Sequence, residues 1–266
     1  MSAKTCKKGL ELYLKAEEET HYFGWQHMLG NLYLYMEIFG LDPDYKKAAY
    51  WYGKAAEQNF SSSQNQLAYL YLNGLGVERD YKKAFDLCMK AAQEDPTAMN
   101  NLANMYLNGL GVPKDEEKAL EWRLKAAENG NLEAMNDLGI MYLNEKNYEK
   151  ALEYFTEAAE EDSTSALNSL GVMYLRGEGV EKDYKKAEEY FIKAVKLDDS
   201  RNLIKINLGC TYELQGNMQK AHEWYNIAAQ KITSEEINNF RRLVSEGNNR
   251  SPKSFLKYFD EIFSKK

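Results

Sequence analysis

The segment Ala98–Asn131, AMNNLANMYLNGLGVPKDEEKALEWRLKAAENGN, decides the fold because its pattern recurs along the chain. A Leu-Gly or Leu-Ala pair followed by two residues and Tyr occurs six times, with leucine at Leu29, Leu67, Leu102, Leu138, Leu170 and Leu208. A Lys-Ala pair follows each tyrosine, with alanine at Ala48, Ala84, Ala119, Ala151, Ala187 and Ala221. A period of about 35 residues kept six times indicates a repeat protein.

Each repeat is predicted to be a helix, a turn and a second helix. In Ala98–Tyr106 the motif residues recur at i, i+4, i+5 and i+8, and in Ala119–Ala126 they recur at i, i+3 and i+7. Both spacings place the residues on one helix face. Gly109 predicts the end of the first helix, since glycine adopts the left-handed conformation at little cost. Asp115 predicts the start of the second helix, because its carboxylate can accept hydrogen bonds from the free backbone N–H groups there.

The connection between the two helices has three lengths. From tyrosine to the Lys-Ala alanine there are 13 residues in the second, third and fifth repeats, which contain Gly-x-Gly-Val. There are 9 in the fourth and sixth repeats and 15 in the first. The paired glycines therefore belong to an inter-helix turn. A dinucleotide-binding loop would need a preceding strand and a third glycine, and the sequence offers neither.

The order of these motifs resembles the Sel-1-like repeat family, and the shorter repeats resemble the related tetratricopeptide repeats. The resemblance covers the chain from about Gly24 to Gln230. It implies an all-α fold, a right-handed α-solenoid superhelix of about six helix-turn-helix repeats with helical caps. We expect an N-terminal capping helix in residues 1–23, the solenoid in 24–230, and C-terminal helices in 231–266. Phe255, Phe259 and Phe263 give the last of these an apolar stripe, so it either caps the solenoid or docks a partner.

Charge and cysteine content restrict the class of protein. The formal net charge is −7, which disfavours binding to nucleic acid or to an anionic membrane surface. Cys6, Cys88 and Cys210 are few, odd in number and far apart, which is typical of reduced thiols and not of a secreted disulfide framework. No apolar stretch is long enough for a signal peptide or a spanning helix. We therefore expect a cytoplasmic protein.

Catalytic and metal-binding signals are weak. None of His21, His27 and His222 has a second histidine or cysteine at the i+3 or i+4 spacing of a helical metal site. Some Sel-1-like proteins are linked to β-lactam binding or hydrolysis, and Ser254 and Lys257 form a Ser-x-x-Lys sequence. No Ser-Asp-Asn or Lys-Thr-Gly accompanies that pair. We expect neither an enzyme nor a cofactor.

A row of asparagines is the strongest candidate site. Two residues before the motif leucine stand Asn65, Asn100, Asn136 and Asn168, although asparagine is a mediocre helix former. We call these four residues the amide row. Resemblance to tetratricopeptide repeats implies that this position faces the concave groove, where an amide can pair with peptide groups. The same alignment adds Tyr69, Asn73, Asn101, Asn104, Asn108, Asp137, Asn144 and Arg176. The alternative is that the row only links neighbouring helices.

The pattern and the resemblance together predict a protein–protein interaction scaffold or adaptor. Its partner would be a protein or an extended peptide held on the concave face. An immunity protein that neutralises a toxin is the alternative, because Sel-1-like proteins have that role in some bacteria and the acidic charge suits a basic toxin. A β-lactam-binding or β-lactam-hydrolysing enzyme is the weakest reading.

Overall fold

The structure is a computed structural model that describes residues 3–233 and 237–238 of the 266-residue chain. This part contains α-helices, one short 3₁₀ helix and no strand. The α-helices are α1 (Ala3–Thr20), α2 (Phe23–Leu34), α3 (Tyr45–Glu57), α4 (Ser61–Asn73), α5 (Tyr81–Ala91), α6 (Pro96–Asn108), α7 (Glu116–Glu128), α8 (Leu132–Asn144), α9 (Tyr148–Glu160), α10 (Thr164–Arg176), α11 (Tyr184–Leu197), α12 (Asn202–Leu214) and α13 (Met218–Lys231).

The helices after α1 form six pairs, and each pair corresponds to one repeat of the sequence. The first helix of a repeat carries the Leu-Gly or Leu-Ala motif, and the second carries Lys-Ala. This arrangement confirms the predicted all-α helix-turn-helix repeat. The chain forms two compact units, Met1–Ala134 and Met135–Lys266, and the boundary between them falls within α8.

Side-chain caps fix where the second helices begin. The carboxylate of Asp115 accepts a hydrogen bond from the backbone N–H of Lys118 at 3.0 Å, as predicted. Asp80 does the same for Lys83 at 2.9 Å. The remaining second helices are capped at the equivalent position by Asp44, Asn147, Asp183 and Asn217. Such a cap satisfies a backbone donor that has no partner within the helix.

The two glycines of the Gly-x-Gly-Val loop have different roles. Gly109 ends α6 in the left-handed conformation, with φ of 67°, as the sequence predicts. Gly111 also has a positive φ, and a Cβ there would lie 2.1 Å from the carbonyl oxygen of Tyr81. The loop therefore lies against the start of the preceding second helix. A side chain at Gly111 would push the two repeats apart.

Small residues and tyrosines build the interior of each repeat. The Lys-Ala alanines are at most 2% exposed, and the alanines seven residues further on are fully buried. The lysine of each Lys-Ala pair lies over the ring of the motif tyrosine, as Lys150 does over Tyr142 at 4.8 Å. The same pairing occurs in the other five repeats. An ammonium over an aromatic face is attracted by the ring quadrupole, so this recurring lysine has a structural role.

The two ends of the chain differ from the central repeats. The long first connection contains a 3₁₀ helix, Met36–Phe39, which ends at Gly40 with φ of 73°. Residues Ala3–Thr20 form α1, within the range expected to hold an N-terminal capping helix, and its capping role stays a prediction. The predicted C-terminal helices, with Phe255, Phe259 and Phe263, lie outside the described residues, as do Ser254 and Lys257.

Candidate functional site

The amide row lies on the first helices α4, α6, α8 and α10. Asn65, Asn100 and Asn136 are buried, with exposed fractions of 7%, 2% and 7%, and Asn168 is half-buried. Buried amides need hydrogen-bonding partners, because leaving them unpaired costs stability. The partners of these side chains therefore decide what the row can do.

Three of the amide oxygens are held by the first helix of the next repeat. Asn101 donates from Nδ2 to Oδ1 of Asn65 at 2.8 Å. Ser169 donates from Oγ to Oδ1 of Asn136 at 3.0 Å. Asn207 donates from Nδ2 to Oδ1 of Asn168 at 2.9 Å. These bonds link neighbouring first helices, as expected if the amide row joins one repeat to the next.

The amide nitrogens of the row are not used in this way. Within the described residues, Nδ2 of Asn65, Asn136 and Asn168 makes no hydrogen bond. None of the three is among the fully buried atoms that lack a partner, so each nitrogen has some exposed surface. Each oxygen bond fixes the plane of its amide. The row therefore holds oriented donors that a peptide carbonyl can accept from.

Asn100 departs from the other three. Its Oδ1 is buried and has no hydrogen-bond partner among the described residues. The residue is 2% exposed. An unpaired buried carbonyl oxygen lowers stability, so we expect Asn100 to contribute less to stability than the other three residues of the row.

The other predicted residues fall into two groups. Asn73 and Asn108 donate to backbone carbonyls of their own helices, those of Tyr69 and Asn104, at 2.9 and 2.8 Å. Oδ1 of Asn104 accepts from Arg123 at 2.6 Å. Tyr69, Asn73, Asn108 and Asn144 are exposed. Arg176 is half-buried, and its Nη1 lies 3.7 Å from Oε1 of Glu178.

The donors to the amide row were not predicted as its partners. Asn101, Ser169 and Asn207 each directly precede the motif leucine. The sequence contained a signal for them, since a hydrogen-bonding residue stands there in every repeat but the first. The first repeat uses another pair, because Nδ1 of His27 lies 2.8 Å from Oγ of Ser63. Burial lowers the pKa of His27, which favours the neutral ring.

The histidine, cysteine and acidic residues of the described chain form no cluster of three that could hold a metal ion. Among the described helices, none has the length and apolar character needed to cross a membrane.

The family profile of the Sel1 repeat matches residues 26–60, 61–95, 96–131, 164–199 and 207–231, and that of the tetratricopeptide repeat matches residues 132–165. The chain belongs to the Sel1 repeat family. The resemblance inferred from the sequence is thus confirmed. The tetratricopeptide match falls on α8 and α9, one of the two pairs with the shorter connection. Sel1 and tetratricopeptide repeat proteins generally mediate protein–protein interactions.

Solved structures of Sel1 repeat proteins share this fold. A Sel1 repeat protein from Oxalobacter formigenes is 27% identical, with a TM-score of 0.69, over 92% of this chain and 99% of that chain. The immunity protein Pa5087 from Pseudomonas aeruginosa is 25% identical, with a TM-score of 0.54, over 71% and 75%. Yeast Tom70, 17% identical over 97% and 62% with a TM-score of 0.57, shares the fold alone. No curated protein matches the chain.

Proposed function

We propose that this Sel1 repeat protein is a scaffold or adaptor that binds an extended segment of a partner protein. The segment lies on the surface of the first helices, the side that resemblance to tetratricopeptide repeats predicts to be concave. The observation that supports this most is the state of the amide row. The oxygens of Asn65, Asn136 and Asn168 are engaged between repeats, and their nitrogens make no hydrogen bond in the described structure.

The row suits a backbone and not a particular side chain. Each Nδ2 donates to a peptide carbonyl, and such a bond contributes roughly 0.5–1.5 kcal/mol net. The bonds from Asn101, Ser169 and Asn207 orient the amides before the ligand arrives, which reduces the entropy lost on binding. Tyr69, 45% exposed on α4, offers an aromatic contact beside the row. Cys88 and Cys210 form no disulfide bond within the described residues, which fits the reducing cytoplasm.

Affinity capture with a matched variant tests the proposal. Wild-type protein and the double variant Asn65→Asp/Asn168→Asp are immobilised and exposed to extract of the source cell. Aspartate keeps the oxygen that accepts from Asn101 or Asn207 and removes the Nδ2 donor. A partner identified by mass spectrometry should be retained by the wild type and depleted at least about tenfold on the variant. Equal capture by both proteins contradicts the proposal.

An immunity protein is the second candidate function. The immunity protein Pa5087 is 25% identical over 71% of this chain, and the net charge of −7 would attract a basic toxin. This candidate predicts that the captured partner is a basic folded domain that is released by about 0.5 M salt, since salt screens exposed charges. It also predicts equal capture by the wild type and the double variant. A partner retained in high salt and lost on the variant contradicts it.

A further inference from the structure

A groove of about 480 Å³ lies between the second helices α3 and α5, within the unit Met1–Ala134. We call it the α3/α5 groove. Its floor is apolar and comes from α4 and the loop after it, with Leu67, Tyr71 and Val77. Leu87 of α5 lines one wall, and Tyr50 of α3, 55% exposed, stands on the other. None of the residues that line the groove belongs to the amide row.

The groove exists because α3 carries small residues on this face. Ala49 and Gly53 line it, and a Cβ built at Gly53 would meet no atom within 4 Å. Counted from the capping residue, the next three second helices have larger side chains at these two positions, namely Phe85 and Met89, Leu120 and Leu124, and Leu152 and Thr156. Glycine inside a helix also lowers its stability relative to alanine. The repeat therefore keeps an open space at a cost to its own helix.

The rim of the groove is positive although the whole protein is acidic. Lys46 and Lys90 line it, and neither makes an ion pair with the part of the chain that the structure describes. By contrast, Lys82 is paired with Asp86 at 2.7 Å on the same helix as Lys90. The described residues that line the groove include one carboxylate, that of Glu57. The apolar floor and the net positive rim complement an apolar side chain flanked by carboxylates.

We propose that the α3/α5 groove binds a bulky apolar side chain of a partner protein at a segment whose flanking residues are acidic. The side chain fills the space above Gly53, and the flanking carboxylates pair with Lys46 and Lys90. At protein interfaces, a few buried anchor side chains, often aromatic, contribute most of the binding free energy. The proposal does not depend on the amide row, so the two surfaces can be tested separately.

Fluorescence anisotropy with a defined probe tests the groove. The probe is a fluorescein-labelled peptide, Glu-Asp-Trp-Leu-Asp-Glu, and the control peptides are Lys-Lys-Trp-Leu-Lys-Lys and Glu-Asp-Ser-Ser-Asp-Glu. The full-length wild type should bind the probe with a Kd below about 1 mM and should not saturate with either control. Binding should weaken with added salt, because the flanking charges are exposed. Absence of binding to the probe, or equal binding of the lysine peptide, overturns the proposal.

Matched variants locate the binding. Gly53→Met introduces the residue found at the same position in the next repeat and should weaken binding at least about tenfold. Gly53→Ala raises helix propensity equally well but leaves the space open, so its Kd should stay within about twofold of the wild type. Lys46→Gln/Lys90→Gln should weaken binding and reduce its salt dependence, while Asn65→Asp/Asn168→Asp should not change it. Full binding by folded Gly53→Met overturns the proposal.

Discussion

Gly139 of α8 packs directly against the ring of Phe155 of α9, and a Cβ on that glycine would lie 2.4 Å from the ring. Gly171 and Phe191 make the same contact in the next repeat. The two repeats with alanine at this position, Ala68 and Ala103, have Cys88 and Arg123 where the aromatic residue would stand. Glycine at the first position therefore occurs in the repeats that have a large ring at the second, and alanine occurs in those that lack it.

Replacing Gly139 by alanine should destabilise the protein. Overpacking a tight core costs about 1–3 kcal/mol, and the better helix propensity of alanine offsets about 1 kcal/mol of this. We expect the free energy of unfolding, measured by circular dichroism in urea, to fall by about 1 kcal/mol. In a Phe155→Leu background the same replacement should be neutral or stabilising. A loss of equal size in both backgrounds would show that the ring is not responsible.

The relation between sequence and fold is clear at such positions. The Leu-Gly motif, the cap Asp115 and the helix end at Gly109 could be predicted because each depends on local chemistry. The contacts of the candidate site were harder to predict from the sequence. The bond from Asn101 to Asn65 depends on how one first helix is aligned with the next, which spacing along the chain does not specify. The contact of each Lys-Ala lysine with a tyrosine was missed because it depends on how the two helices of one repeat pack against each other.

Cys88 should make the protein less stable at alkaline pH. Burial, with a smaller contribution from the charge of Asp95, raises the pKa of the Cys88 thiol to about 12. In the unfolded chain the thiol loses its proton near its ordinary pKa of about 8.5. Between these values the native state binds more protons than the unfolded state, so the free energy of unfolding falls as pH rises.

From pH 7.5 to 9.5, the contribution of Cys88 to the free energy of unfolding should fall by about 1 kcal/mol. Urea titrations of the wild type and Cys88→Ala at both pH values give the free energy of unfolding of each protein. The change with pH in the wild type minus the change in Cys88→Ala is the contribution of Cys88. The native thiol should also be inert to a thiol reagent at pH 8 and should react after denaturation without a reductant. Identical pH dependences in the two proteins, or rapid native reaction of Cys88, would contradict this prediction.

Lys205 of α12 should be replaceable by an apolar residue. Its side chain is fully buried, and its ammonium donates to the Asp199 carboxylate at 2.8 Å and to the Asp199 carbonyl at 2.5 Å. The same position in the other repeats holds Gln26, Gln64, Met99, Met135 and Leu167. The Asp199 side chain is 63% exposed, so the ammonium is the buried charge of this pair. Replacing a buried charge by a well-packed apolar group is often neutral or stabilising, whereas removing the partner of a buried charge is destabilising.

We therefore expect Lys205→Met to keep or raise the melting temperature and Asp199→Ala to lower it. Differential scanning calorimetry of both variants and the wild type provides the measurement. The double variant Lys205→Met/Asp199→Ala should resemble Lys205→Met, because no buried ammonium is left to stabilise. A marked loss of stability in Lys205→Met alone would mean that the ion pair itself supports the helix.

Asn100 should differ from Asn65 when each is changed to alanine. Oδ1 of Asn100 has no partner among the described residues, so removing it relieves a penalty of about 1–3 kcal/mol, and alanine is the better helix former. Asn65→Ala instead removes the acceptor of Asn101. Thermal unfolding should show a higher melting temperature for Asn100→Ala and a lower one for Asn65→Ala. Equal destabilisation by both changes would show that Asn100 is as firmly engaged as Asn65.

The most direct test of the proposed function distinguishes the Nδ2 donors of the amide row from the hydrogen bonds that its Oδ1 atoms accept. Isothermal titration calorimetry measures the Kd of the captured partner segment for the wild type and two double variants. Asn65→Asp/Asn168→Asp removes the Nδ2 donors and keeps the oxygens that accept from the next repeat. Asn101→Ala/Asn207→Ala removes those bonds between repeats and keeps the Nδ2 donors of the row.

The account predicts that Asn65→Asp/Asn168→Asp weakens binding by about tenfold or more with little change in melting temperature, because two donor bonds of roughly 0.5–1.5 kcal/mol each are lost. Asn101→Ala/Asn207→Ala should melt at a lower temperature and, while folded, lose less affinity than Asn65→Asp/Asn168→Asp, because the donors remain although they are no longer oriented in advance. Full affinity in Asn65→Asp/Asn168→Asp would contradict the account and show that the amide row serves only to join the repeats.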